Sequence, residues 1–246
     1  MKTVPYCNTN VAVLSNTLCK SYYNLSLVEH RLIKLYLQSI TDYFETPLNV
    51  STPFTLTVQE YAKTWNIEVF NARREVREAV IGLFKREIYK LGEDGESFIY
   101  SHWISDATYV RDSDTVELYW SRTILSHISL LKERFTKLDL TEIRDFSSTY
   151  SFRLYEILTC AVGENSFKNP KFEVEVLMHM MQVPESYRNY RTFKARVLTP
   201  CTSELQNKTN KFSKLSLIEH KRKGSKKIME VEFSGVGIGK KYKNLC

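Results

Sequence analysis

The chain has 246 residues, 43% of them hydrophobic and 26% charged, which is typical of a globular protein with a substantial core. No stretch approaches the roughly 20 apolar residues that a membrane-spanning helix needs, and the first residues lack the apolar segment of a secretory signal. The five cysteines are scattered and form no C-x-x-C pair, which excludes a zinc or disulfide scaffold. We therefore expect a cytoplasmic protein that uses no cofactor, binds no metal and has no membrane partner.

The formal net charge is +7, and it is distributed unevenly along the chain. The residues from Arg188 onward contain 15 Lys and Arg against 4 Glu, whereas residues 1–187 contain 20 basic and 24 acidic side chains. A basic block at one end is suited to a polyanion, because each phosphate that is neutralised releases condensed counterions. This distribution indicates a nucleic-acid partner.

In the first half of the chain, two capping boxes mark helix starts: Ser26 with Glu29, and Thr57 with Glu60. The first twenty residues show no clear period and predict an irregular arm. The predicted elements are helices over 25–40, 58–65 and 69–86, and β-strands over 54–57, 88–91, 98–104, 108–110 and 115–120. A short helix, a tight turn and a longer helix form a helix-turn-helix, and the hairpins that follow predict a wing.

The same order recurs in the second half of the chain. The predicted elements are helices over 149–162, 175–181 and 189–208, and β-strands over 172–174, 213–220 and 227–233. When the sequence is aligned with itself at an offset of 118 residues, Phe54 aligns with Phe172 and Val80 aligns with Leu198. The expected fold class is α+β with two tandem winged-helix domains, residues 1–137 and residues 138–246.

The helix over 189–208 carries the main candidate DNA contacts. At about 100° per residue, Phe193, Val197, Cys201 and Leu205 fall on one side, and small residues beside long hydrogen-bond donors fall on the other. The candidate contacts on this helix are Arg188, Lys194, Arg196 and Thr199, of which Lys194 lies nearer the buried side. Such a face suits a helix in the major groove; the alternative is a solvent-exposed helix face. Pro200 is expected to kink the helix.

The basic turn over 221–227 is the second candidate contact. Its basic residues are Lys221, Arg222, Lys223, Lys226 and Lys227. Lysines on a loop hold backbone phosphates better than they read bases. The alternative is a solvated charged loop.

In the first half of the chain, the candidate DNA contacts are Arg73, Arg74 and Arg77 on the longer helix. Glu75 and Glu78 alternate with them, so ion pairs within the helix are the alternative.

Motifs for catalysis are absent from the sequence. The segment over 234–241 has Ser234 and Lys241 where a Walker loop needs Gly and Ser or Thr. The five histidines are isolated, with no H-x-H pair for metal-dependent nicking. We expect that the protein is not an enzyme.

Four stretches together resemble the iteron-plasmid replication initiators. They are residues 23–35, residues 54–84, Phe135-Thr-Lys-Leu-Asp-Leu140 with Tyr150-Ser-Phe-Arg-Leu-Tyr-Glu156, and residues 187–209 with 221–225. The resemblance implies a monomer that binds repeats at a plasmid origin, and a dimer, paired through the first domain, that represses its own promoter at an inverted repeat. It also implies host replication initiator and helicase as partners. Ala195 stands where some relatives have arginine, so base preference is not carried over.

Two other functions compete with this expectation. A winged-helix transcriptional repressor without an initiator role would have the same fold. A nicking or nucleotide-hydrolysing replication enzyme would need the motifs that the sequence lacks.

Overall fold

The structure is a computed structural model. It describes residues 10–39, 49–51, 53–91, 96–111, 113–128, 135–164, 168–221, 224 and 227–236. The described residues up to Thr149 form one compact unit and those from Tyr150 onward form a second. The sequence pattern predicts the boundary earlier, at residues 137/138, but the strand that crosses this point pairs with the start of the chain and therefore lies in the first unit.

The first unit combines helices with three small antiparallel sheets. In chain order its elements are β1 (Val11–Ser15), α1 (Asn16–Lys20), α2 (Leu27–Ser39), β2 (Phe54–Thr57), α3 (Val58–Trp65), α4 (Val69–Lys85), β3 (Glu87–Leu91), β4 (Phe98–His102), β5 (Ile104–Val110), β6 (Thr115–Trp120), α5 (Arg122–Ile128), β7 (Phe135–Asp139) and α6 (Leu140–Ile143). The sheets have the orders β1-β7, β2-β6-β5 and β3-β4. The predicted bounds hold to within two residues for α2, α3, α4, β2, β3 and β6, whereas β1, α1, α5, β7 and α6 have no predicted counterpart.

The prediction of an irregular arm over residues 1–20 is wrong for its described part. Residues Val11–Ser15 form a strand that pairs with Phe135–Asp139, and Ser15 accepts a hydrogen bond from the Leu18 amide to start α1. The Thr136 hydroxyl donates to Asn16 Oδ1 at 2.8 Å across the same junction. The strand is held by a partner far along the chain, so no local period marks it.

Both predicted capping boxes are confirmed. The Thr57 amide donates to Glu60 Oε2 at 2.7 Å, and the Glu60 amide donates to Thr57 Oγ1 at 3.2 Å. The Ser26 amide donates to Glu29 Oε2 at 2.6 Å. Between α3 and α4, Asn66 has a φ of 51°, a left-handed conformation that asparagine tolerates and that makes the turn tight. Local chemistry thus sets the helix-turn-helix of the first unit.

A close approach joins α2 to α4. The Glu29 carboxylate is 2% exposed and accepts from Arg86 Nε at 2.9 Å. Gly82 faces it, and a Cβ added there would lie 1.9 Å from Glu29 Oε1. A glycine therefore lets the buried carboxylate sit against the helix backbone.

The predicted strand over 98–104 divides at Trp103. Phe98–His102 pairs with Glu87–Leu91 as a separate two-stranded sheet, and Ile104–Val110 pairs with Thr115–Trp120. The hairpin of β5 and β6 therefore forms the wing of this unit, since β6 also pairs with β2. The hairpin of β3 and β4 is an additional element between α4 and the wing.

The second unit repeats the plan with fewer parts. Its elements are α7 (Thr149–Glu164), β8 (Lys171–Glu173), α8 (Val174–Met180), a 3-10 turn (Glu185–Tyr187), α9 (Tyr190–Phe193), a π-helical turn (Lys194–Leu198), α10 (Thr199–Lys208), β9 (Ser216–Lys221) and β10 (Ile228–Ser234). The sheet order is β8-β10-β9. Helix α7 continues through Gly163 to Glu164, two residues beyond its predicted end. The strand expected from residue 213 begins at Ser216, after a turn.

The two units share one topology. In each, a short strand leads into a helix-turn-helix, two further strands form a hairpin, and the last strand lies between the other two. Phe54 and Phe172, which align at the 118-residue offset, lie in the equivalent strands β2 and β8. Each unit is therefore a winged helix, and the predicted α+β fold class is confirmed.

Candidate nucleic-acid interface

The helical segment from Tyr190 to Lys208 is the second helix of the second helix-turn-helix. Asn189 caps it, because its Oδ1 accepts from the Thr192 amide at 2.9 Å. The predicted inner residues are all buried: Phe193, Val197, Cys201 and Leu205 are at most 1% exposed. Burial of this row leaves the opposite side of the segment at the surface.

Pro200 changes the helix as predicted, but by widening a turn rather than by breaking it. The Thr199 amide donates to the carbonyl of Lys194, five residues back, and residues Lys194–Leu198 form a π-helical turn. Proline has no amide hydrogen and its ring crowds the carbonyl four residues before it, so the ladder must shift at this point. Such wide turns occur often at functional sites.

Four exposed residues follow one another along the outer side of this segment: Arg191, Ala195, Arg196 and Thr199. Neither Arg191 nor Arg196 has a hydrogen-bond or ion-pair partner within the described part of the chain. Two of the predicted contacts, Arg196 and Thr199, are therefore at the surface as expected. Arg191 was missed by the sequence reasoning, because a regular helix of 100° per residue turns it away from Arg196.

The other two predicted contacts, Arg188 just before this segment and Lys194 within it, have acidic partners. Arg188 Nη1 lies 2.9 Å from Glu185 Oε1 in the preceding 3-10 turn. Lys194 Nζ lies 2.8 Å from Glu219 Oε1 on β9, and the Tyr190 hydroxyl donates to the same oxygen at 2.6 Å. These donors, chiefly Lys194, hold the pKa of Glu219 below its usual value. The carboxylate is therefore charged at neutral pH.

The basic turn joins β9 to β10. Lys221, at the end of β9, is exposed, and Lys227 Nζ lies 3.6 Å from Glu175 Oε1 of α8. Gly224 has a φ of 79°, which explains a glycine at the turn. The remaining predicted contacts of the turn, Arg222, Lys223 and Lys226, lie outside the described residues.

In the first unit, two of the three predicted arginines are held by the wing. Arg73 Nε donates to Asp114 Oδ1 at 2.9 Å, and the guanidinium of Arg77 lies 6.0 Å from the ring centroid of Tyr109. Arg74 is exposed and has no polar partner among the residues that the structure describes.

Among the described residues, the ion pairs that form are not the pairs within α4 that were the alternative to DNA contact. Glu75 pairs with Arg31 of α2 at 3.0 Å and accepts from the Tyr61 hydroxyl at 2.9 Å. Asp114, in the turn between β5 and β6, is the partner of Arg73. Arg73 and then Tyr109 lower the pKa of Asp114 to about 2. Because this pKa is depressed, the ion pair is present at neutral pH and breaks only as the pH falls through about 2.

We find neither a candidate metal site nor a candidate membrane-spanning helix in the described ranges. These ranges contain no group of three or more His, Cys, Asp or Glu residues placed to hold a metal ion. They also contain no helix with both the length and the apolar character required to span a bilayer.

Known proteins share this architecture. A replication initiation protein of Escherichia coli is 25% identical over 214 residues, which cover 86% of this chain and 66% of that protein. The solved structure of the Pi initiator protein in complex with iteron DNA has a TM-score of 0.74 at 22% identity, covering 92% of this chain and 97% of that chain. Domains 2 and 3 of RctB give a TM-score of 0.50 at 13% identity, covering 85% and 82%. At these identities the two structures support the fold alone.

Two family descriptions match in tandem. "Initiator Replication protein, WH1" matches residues 11–159, and "Initiator Rep protein, WH2" matches residues 173–234. The chain therefore belongs to the initiator replication protein family, as the resemblance in its sequence predicts.

Proposed function

We propose that this chain is a plasmid replication initiator that binds repeated sites in double-stranded origin DNA, chiefly through its second unit. The observation that carries the proposal is the outer side of residues 190–208, where Arg196 and Thr199 are exposed, in the unit whose sequence also carries the basic turn over 221–227. Arginine bonds the guanine edge bidentately, and threonine contacts phosphate or a thymine methyl. The Pi initiator, whose fold the chain shares, was solved with iteron DNA, which supports this class of ligand.

The distribution of charge supports the proposal that the second unit makes the main DNA contacts. The strongly basic stretch begins at Arg188, immediately before the second recognition helix. In the first unit Arg73 and Arg77 already have partners, which leaves Arg74 as the available cation of the predicted three. The first unit is therefore proposed as an auxiliary DNA contact. Membership of an initiator family agrees with the expectation that the chain is not an enzyme.

Footprinting on the DNA that flanks the gene tests this function. Protection of several spaced direct repeats supports an initiator, whereas protection of one inverted repeat alone supports a winged-helix repressor. Nicking of supercoiled origin DNA with Mg²⁺ or Mn²⁺ would instead support an enzyme. The proposal places this activity in the cytoplasm and includes host replication initiator and helicase as partners, as the family resemblance implies.

The basic hairpin is expected to act through backbone phosphates. Replacing Lys221, Arg222 and Lys223 with alanine should weaken binding to all DNA sequences. The slope of log K against log[salt] is negative, and its magnitude should decrease by roughly one unit for each phosphate that the variant no longer neutralises. Titrations of specific and random duplexes over a series of salt concentrations measure this slope. An unchanged slope would mean that the hairpin is a solvated loop that does not contact DNA. The control for loss of charge is Lys171→Ala, in the edge strand β8.

A dimer of the chain, paired through the first unit, is the second part of the proposal. The support for it is the β3–β4 sheet, in which Phe98, Ile99 and Tyr100 are 52%, 41% and 69% exposed. Within the described residues, β4 pairs with β3 alone, so its other edge offers backbone hydrogen-bonding groups to a second strand. A two-fold pairing of β4 with its copy would cover the apolar side chains and give one symmetric dimer.

Tyr100→Glu is expected to convert this dimer to a monomer, because it places a charge in the apolar contact. A symmetric dimer prefers an inverted repeat, so the variant should lose that site and keep direct repeats. Size-exclusion chromatography with light scattering, with and without single-repeat DNA, measures the change. Val50→Glu, at another exposed apolar residue of the first unit, is the matched control. A wild-type protein that stays dimeric on a single direct repeat contradicts the scheme.

A further inference from the structure

The π-helical turn changes the angle between the exposed side chains of the recognition helix. Residues five apart on a regular α-helix point about 140° away from each other. Across a turn closed by a bond to the fifth residue back, each residue rotates less, so the angle between Arg191 and Arg196 is smaller than on a regular helix. Both arginines are exposed, with the small exposed side chain of Ala195 beside Arg196.

The position of Arg191 suits contact with bases. In helix-turn-helix proteins the first residues of the recognition helix reach the base edges in the major groove. Arg191 is the second residue of α9, immediately after the capped start at Asn189. Arg188, three residues earlier, already pairs with Glu185.

A cluster of three side chains fixes this start of the helix to the wing. Glu219 of β9 receives the Tyr190 hydroxyl at 2.6 Å and the Lys194 ammonium at 2.8 Å. Tyr190 and Lys194 lie on either side of Arg191 in sequence, so the carboxylate limits rotation and sliding of the helix at that point. It also keeps Lys194, half-exposed, turned toward the protein.

We propose that Arg191 is a second specificity-determining residue beside Arg196, and that the Tyr190–Glu219–Lys194 cluster holds it in register with the DNA bases. Each guanidinium would donate bidentately to the O6 and N7 atoms of a guanine. Two exposed arginines five residues apart on one recognition helix would read base pairs close together in the same groove. Glu219 is a positioning residue, since it acts through Tyr190 and Lys194.

This inference rests on the proposed DNA binding. A selection experiment with random-sequence duplexes distinguishes failure of the inference from failure of DNA binding. The full-length protein selects from a library of random-sequence duplexes, and the enriched motif is compared among variants. Arg191→Ala should erase base preference at one or two positions, distinct from those lost in Arg196→Ala. Its affinity for the wild-type motif should fall about tenfold or more, with little change on random duplex. Lys208→Ala, which removes a charge from the same helix, should leave the motif unchanged.

The outcomes differ for the two proposals. A wild-type protein that enriches no motif overturns DNA recognition and this inference together. A wild-type motif that Arg191→Ala reproduces in full overturns only the role of Arg191.

The cluster has its own measurement. Glu219→Gln should release Lys194 to the DNA backbone, raising affinity for random duplex and steepening the salt slope by about one unit. Tyr190→Phe removes the hydroxyl and no charge, so it should weaken the preference at the Arg191 position without changing the slope. A role in stability alone predicts neither result. Unchanged slope and motif in both variants would overturn the positioning role of Glu219.

Discussion

Replacing Arg196 with alanine is expected to weaken binding to the specific DNA site by about 1–3 kcal/mol and binding to random DNA much less. Arg196 is exposed on the outer side of the recognition helix, and no described residue competes for its guanidinium. The buried residues on the opposite side, Phe193 and Val197, hold the helix independently of Arg196, so the variant should fold. Anisotropy titrations on the footprinted site and on a scrambled duplex give the two affinities.

Arg196→Lys separates base reading from charge. Lysine keeps the positive charge but loses the planar fork that bonds two acceptors of one guanine. We expect this variant to retain affinity for the scrambled duplex and to lose most of the specific affinity that alanine loses. Equal losses on both duplexes in Arg196→Ala, with full rescue by lysine, would assign Arg196 to a backbone phosphate.

Elements set by neighbouring residues could be predicted from the sequence. The capping boxes of Ser26 and Thr57 each need a partner three residues away, and both form. The buried row of Phe193, Val197 and Cys201 follows the helical period, and the exposure of Arg196 follows from it. These signals, repeated in two halves, were sufficient for the fold class and for the main recognition helix.

Contacts between distant residues could not be predicted in the same way. Strand β1 depends on β7, more than a hundred residues later, and Arg73 depends on Asp114 of the wing. Glu219 meets Tyr190 only when the wing folds against the recognition helix. Pro200 predicts a distortion of the helix but not its form as a wide turn, and Arg191 was missed because a regular helix was assumed. Each miss is a tertiary contact that leaves no local period.

Glu156→Gln is expected to reduce the free energy of unfolding of the second unit by about 3–5 kcal/mol. The Glu156 carboxylate lies 2.9 Å from Arg153 Nη1, and the side chains are 0% and 3% exposed. Arg153 also donates from Nε to the carbonyl of Met180, at the end of α8, so the pair joins α7 to the helix-turn-helix. Glutamine keeps the shape but removes the negative charge that lies 2.9 Å from a buried guanidinium, and removing one charge of a buried pair is strongly destabilising.

The tryptophans allow this loss to be assigned to one unit. The three tryptophans, Trp65, Trp103 and Trp120, all lie in the first unit, whereas far-ultraviolet circular dichroism reports helices of both. In urea, Glu156→Gln should shift a dichroism transition to lower denaturant and leave the tryptophan fluorescence transition in place. Lys208→Ala, which removes a partly exposed pair with Glu204, should cost less than about 1 kcal/mol.

A double substitution tests whether charge is the cause. Arg153→Met with Glu156→Leu removes both buried charges, and such replacements are often neutral or stabilising. The Met180 carbonyl then loses its donor, which costs about 1–3 kcal/mol. We therefore expect the double variant to be more stable than Glu156→Gln and close to or slightly below the wild type. If the double variant is the less stable of the two, the loss in Glu156→Gln comes from the shape of the site and not from an unpaired charge.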